Sequence, residues 1–110
     1  MSVADSVQAT IERMVRRIVE QFDPERVILF GSHARGTAGP GSDVDLLVVM
    51  RLSGSRRRAA TAIDVALFGS GIPKDILVAT PEDLERSRHQ VSTVLRPAVR
   101  EGKVLYERRA

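Results

Sequence analysis

Two aspartates separated by one apolar residue, Asp43 and Asp45, lead into the run Leu46-Leu47-Val48-Val49. In a β-strand alternate side chains share a face, so these carboxylates point the same way while Val44 turns into the core. Carboxylates held that close repel each other. A hard divalent cation such as Mg²⁺ relieves the repulsion, because it takes oxygen ligands from carboxylates and from substrate phosphates. Upstream, the apolar run Val27-Ile28-Leu29-Phe30 ends in a Gly31-Ser32 turn, and ten residues separate Ser32 from Asp43. Together these features predict a metal site beside a phosphate site.

The elements that must position them follow from periodicity and punctuation. Apolar residues at 7, 11, 14, 15, 18 and 19 predict a helix over Val3 to Gln21, closed by Asp23-Pro24. Val27 to Phe30 reads as a short buried strand, and Ser32 to Arg35 as the start of a short helix. Three glycines and Pro40 make residues 36–41 a mobile loop. Val44 to Met50 is a second strand, and Ser53 to Phe68 a long helix capped by Ser53 or Ser55. After Gly69 and Gly71, Ile72 to Ala79 reads as a third strand carrying Asp75. Thr80-Pro81-Glu82-Asp83 then starts a helix over Pro81 to His89: a threonine cap, proline in the first turn and an acid three residues after the cap. Ser92 to Glu101 predicts a last helix disturbed by Pro97, and Lys103 to Tyr106 a final strand. The connection between the strands at 27–30 and 44–50 is too short for a helical crossover, so they pair antiparallel or in a mixed sheet. The fold class is α+β (mixed α/β), with helices covering one face of a small sheet.

Composition narrows the function classes. At 110 residues the chain is expected to form one domain, 1–110, of a size that buries about 65% of its unfolded surface. No apolar run approaches the roughly 20 residues needed to span a bilayer, and a cytoplasmic location is the default. The absence of cysteine excludes disulfides and thiolate metal sites. Net charge is +3, and 15 of 17 basic residues are arginine, the side chain suited to bidentate phosphate or carboxylate contact. Aromatics are only 4%, too few for a stacking platform, so direct nucleic-acid binding is not favoured. Arg56-Arg57-Arg58 falls in a first helical turn, where cations oppose the helix dipole by about 0.3–1 kcal/mol each. A solvated basic face and a contact with a polyanion or partner are both open for it. His33 and His89 lack metal-ligand spacing and read as surface or hydrogen-bonding residues. Asp64 reads as solvated helix surface, and Met14 and Met50 as core.

The strand, the sequence Gly31-Ser32-His33-Ala34-Arg35-Gly36 and the segment Ser42-Asp43-Val44-Asp45-Leu46 closely resemble the polymerase-beta-like nucleotidyltransferases, above all their minimal branch (MNT). The resemblance covers nearly the whole chain, including the strand of Asp75, the Thr80-Pro81-Glu82-Asp83 helix start and the closing Gly102-Lys103-Val104-Leu105-Tyr106-Glu107. It implies the polymerase-beta-like fold, with Asp43, Asp45 and Asp75 as catalytic and metal-binding carboxylates for one or two Mg²⁺ ions. Gly31, Ser32, Arg35 and Ser42 would bind the nucleotide triphosphate. Arg35 can neutralise phosphate charge or brace the loop, and the residues leave both roles open.

Larger relatives of this kind carry a further helical domain that helps bind the acceptor, and this sequence ends directly after the catalytic unit. The resemblance therefore points to an acceptor supplied by a partner. It is similar to the antitoxin half of HEPN/MNT toxin–antitoxin pairs, in which AMP passes from ATP to a tyrosine of the HEPN ribonuclease toxin. Two alternatives stand beside this expectation: transfer to a small hydroxylated acceptor, and a non-catalytic antitoxin that inhibits by binding. Homo- or hetero-oligomerisation is compatible with each.

Overall fold

The computed structural model describes residues 3–39, 41–87 and 101–109. Its elements run α1 (Val3–Phe22), β1 (Arg26–Phe30), α2 (Gly31–Arg35), β2 (Val44–Val49), α3 (Arg56–Ala66), β3 (Lys74–Ala79), α4 (Pro81–Ser87) and β4 (Lys103–Glu107). The predicted helix over 92–101, all but Glu101, and the predicted end of α4 with His89 lie outside the described residues. Among the described residues no helix is long and apolar enough to cross a membrane.

The helix and strand limits have local causes. The apolar stripe of α1 is buried, with Ile11, Met14, Val15 and Ile18 each less than a tenth exposed. Asp23 then takes a left-handed conformation, φ 47°, which stops the helix. Of the two candidate caps for α3 it is Ser55 whose hydroxyl accepts the Arg58 amide at 3.1 Å. That cap starts the helix later than Ser53, and Gly69 at φ 87° follows its end. The helix is therefore shorter at both ends than the periodicity predicts. The start of α4 matches its sequence signature: the Thr80 amide donates to Asp83 Oδ2 at 2.9 Å and the Asp83 amide to Thr80 Oγ1 at 3.1 Å.

The four strands form a mixed sheet in the order β3-β2-β1-β4. Strand β1 pairs antiparallel with both β2 and β4, while β2 and β3 run parallel. The short link from β1 to β2 explains the first pairing, and α3 supplies the crossover that a parallel pair requires.

Alternation along the strands makes two apolar faces. Val27, Leu29, Val44, Leu46, Val48 and Val78 pack with α1 and α3 in the larger cluster. Ile28, Leu47, Val49 and Ala79 form a smaller cluster against Phe30, Leu77 and Leu84 of α4. Helices thus stand on both faces, where the sequence predicted one. The reason lies in β2, whose residues from Leu46 to Val49 are apolar on both sides and must be covered twice.

Candidate active site

Residues of opposite parity to Val44 belong to the smaller cluster, and Asp45 stands in line with Leu47 and Val49. The register sets Phe30 opposite Asp45 on one side and Asp75 opposite Asp45 on the other. Asp43 sits one residue before β2 and is exposed, as is Asp75. The three acids therefore lie toward the end of the sheet where β1 finishes and where β2 and β3 begin, and Asp45 and Asp75 project from the face that also carries Leu84.

The turn after β1 shapes this end. Gly31 has φ 75°, and a Cβ added to it would lie 2.1 Å from Asp45 Oδ2. The Asp45 carboxylate thus lies against the bare Cα of Gly31, a close approach that any side chain would block. From there α2 runs five residues, anchored by buried Ala34, and ends at Gly36 in a left-handed conformation of φ 77°. Ser32 is half-buried beside Gly31.

The loop before β2 is tied down at Ser42. Its hydroxyl accepts the Gly39 amide at 2.9 Å, and its own amide donates to the Gly39 carbonyl at 3.1 Å. Across the loop His33 Nε2 lies 3.2 Å from the Ser42 carbonyl oxygen. A carbonyl only accepts, so Nε2 carries the proton in that contact. His33 thus braces the residue before Asp43. Sequence reasoning left it as a surface or hydrogen-bonding residue, because the contact depends on where the intervening loop returns. Arg35 is half-exposed and forms a 3.7 Å ion pair with Glu101, a loose contact of the kind that contributes little.

Charge is concentrated at Asp45. Burial raises its carboxyl above the usual range, and the negative charges of Asp75 and Asp43 push the same way. His33 and Arg35 pull against them without cancelling the effect. Nearby Lys74 does not relieve the cluster directly, since its amine reaches Asp64 at 3.2 Å. That ion pair, half-exposed on the Asp64 side, refines the reading of Asp64 as solvated helix surface.

A strained, oxygen-only donor set beside a glycine cradle fits a hard divalent cation such as Mg²⁺. Among the described residues no three His, Asp or Glu side chains are gathered into a ready-made cage for a metal ion. Mutual repulsion of the acids opposes such convergence. Away from this end, Arg56 and Arg86 both contact Asp83 Oδ1, at 2.7 and 2.6 Å. Arg56 therefore belongs to a structural ion pair, and Arg57 and Arg58 remain on the exposed face.

Comparison with known proteins bears on the family and the fold. Residues 11–101 match the nucleotidyltransferase domain family. A relative in Methanocaldococcus jannaschii, named "putative protein adenylyltransferase", is 32% identical over 112 residues, covering 88% of this chain and 75% of its own. A solved "putative nucleotidyltransferase" from Sulfolobus solfataricus superposes with TM-score 0.64 at 19% identity, over 98% of this chain and 91% of that one. A toxin–antitoxin structure with AMP-PNP superposes with TM-score 0.57 at 24% identity, over 88% and 73%. A mutant of the toxin–antitoxin MntA-HpeT gives 0.59 at 21% identity, over 87% and 72%. Likeness at these identities establishes a shared fold.

Proposed function

This chain belongs to the nucleotidyltransferase domain family and is a nucleotidyltransferase enzyme; from that premise we propose that it transfers AMP from ATP to a protein hydroxyl, the tyrosine of a HEPN ribonuclease toxin, and so serves as an antitoxin. The observation that carries the reading is the Asp45 carboxylate seated on Gly31 with Asp75 beside it in register. This placement brings the Gly31-Ser32 turn and a pair of carboxylates to one end of the sheet.

Each residue then has a task. Gly31 allows a triphosphate to approach the backbone, and Ser32 offers it an amide and a hydroxyl. Ser42 holds the loop that delivers Asp43. Arg35, only loosely engaged by Glu101, is available to phosphate. Asp43, Asp45 and Asp75 would hold Mg²⁺, which when bound supplies charge stabilisation for the phosphates and the departing pyrophosphate. The acceptor hydroxyl oxygen forms the new bond to the α-phosphorus as the bond to pyrophosphate breaks. The hydroxyl proton passes to the exposed carboxylate of Asp75.

The name carried by the Methanocaldococcus relative supports a protein as acceptor. The toxin–antitoxin assemblies that share the fold support a toxin in that role, and the AMP-PNP in one of them supports ATP as donor. The test is AMP transfer from ATP to the purified toxin, followed by intact-protein mass spectrometry with and without Mg²⁺. Transfer should require Mg²⁺ and should fall at least about 10²-fold in Asp43→Ala. Toxin silencing that survives Asp43→Ala, with no AMP on either protein, refutes transfer as the silencing step and leaves inhibition by binding.

A further inference from the structure

Phe68 is 86% exposed and Val65 is 67% exposed, the two most exposed large apolar side chains among the described residues. They stand one helical turn apart at the end of α3. Beside them is a hollow of about 170 Å³ lined by Met14, Leu67, Phe68, Arg13 and Arg17 among others. Met14 and Leu67, each 3% exposed, close its base, and Thr10 and Ser70 add polar groups to its wall. Its rim is cationic. Arg13 and Arg17 are exposed and lie one turn apart on α1, an arrangement in which like charges destabilise a helix.

Both arginines are already oriented. The Arg17 guanidinium donates to the Ala66 carbonyl at 3.1 Å, at the C-terminal end of α3, and Arg13 donates to Thr10 Oγ1 at 3.0 Å. Each contact uses one of five N–H donors. Among the described residues neither guanidinium meets a carboxylate. Preorientation lowers the ordering cost of binding, and arginine with an exposed aromatic is the composition of an interface centre. A space near 150 Å³ accommodates a benzene ring.

We propose that the hollow between α1 and the end of α3 is the docking surface for an acidic, amphipathic segment of the acceptor protein, one aromatic or leucine anchor entering it and flanking carboxylates pairing with Arg13 and Arg17. The proposal rests on the reading that the acceptor is a protein. The loop bearing Phe68 leads into β3, where Asp75 stands second. A partner held there lies on the α1 and α3 side of the sheet and must reach around its end to the face from which Asp45 and Asp75 project.

The probe is a synthetic amphipathic helical peptide with one phenylalanine flanked by glutamates a turn to either side. It is titrated into the full chain without nucleotide and followed by NMR shifts and anisotropy. Binding should perturb Met14, Leu67 and Phe68, weaken with salt, and fall at least about tenfold in Phe68→Ser, in Arg13→Glu and for the lysine version of the peptide. Arg57→Glu, with the same charge change at the far end of α3, should bind as wild type. Equal binding of both peptides, or shifts elsewhere, overturns the proposal. So does concentration-dependent self-association abolished by Phe68→Ser, which makes a second copy the occupant, or displacement of the peptide by single-stranded RNA. Because binding is read without nucleotide, loss of AMP transfer in Asp43→Ala leaves it standing, and a negative result here leaves the transfer chemistry standing.

Discussion

Replacing Gly31 by alanine should disable the enzyme far more than it destabilises the fold. Two costs are separable. A left-handed conformation, here φ 75°, costs an alanine about 1–2 kcal/mol. The new Cβ would also stand 2.1 Å from Asp45 Oδ2, against the 3.0 Å below which real contacts essentially never fall, so the oxygen must retreat by 0.9 Å. A displacement near 1 Å in a reacting constellation costs on the order of 10²-fold in rate. Gly36 and Gly69 supply matched controls, with φ of 77° and 87° and nothing within 4 Å of an added Cβ. Alanine at all three positions should lower stability by a similar amount in urea titrations. Only Gly31→Ala should lose about 10²-fold in pyrophosphate release from ATP in the presence of acceptor protein. In an Asp45→Ala background the crowded carboxylate oxygen is gone, so Gly31→Ala should then cost only the left-handed strain. Activity of Gly31→Ala within threefold of wild type, or equal losses in Gly69→Ala, would refute the close-approach argument.

Further outcomes follow from charge and packing. Burial works to raise the Asp83 carboxyl, yet hydrogen bonds from Thr80 and Arg56 outweigh it and hold the group down at about 2. A lowered carboxylate stabilises the fold above its unfolded value, and that stability is lost as pH falls from about 4 toward 2. Asp83→Asn should therefore cost about 2 kcal/mol at pH 7 and flatten the acid limb of a pH-dependent urea series. Asp45 has the opposite sign: its raised carboxyl destabilises the fold once ionised, so the penalty is absent below about pH 4 and complete above the folded value. Asp45→Asn should melt higher than wild type at pH 7, with the gain vanishing in acid, while the stabilisation by Mg²⁺ and ATP expected of wild type should be lost; a lower melting temperature at pH 7 would refute the strain. Leu46, fully buried in β2, should cost about 2–5 kcal/mol as alanine in equilibrium unfolding.

The sequence by itself determined the local parts of this protein. Asp45 takes the face opposite Val44 because strand geometry alternates, and the Thr80-Asp83 capping box closes within one turn, so both were legible without any long-range information. The family was legible for the same reason, since Gly31-Ser32 and the paired acids are short motifs. Tertiary structure decided what depends on contacts distant in the chain. The parallel register of β2 and β3 brings Asp75 beside Asp45 across 30 positions, and the return of a loop sets His33 on Ser42. The pairing of Arg56 with Asp83 and the exposure of Phe68 were equally invisible, because a basic run and an apolar residue look the same in sequence whether partnered or free. Periodicity reports which side of an element is apolar; only packing settles what that side meets.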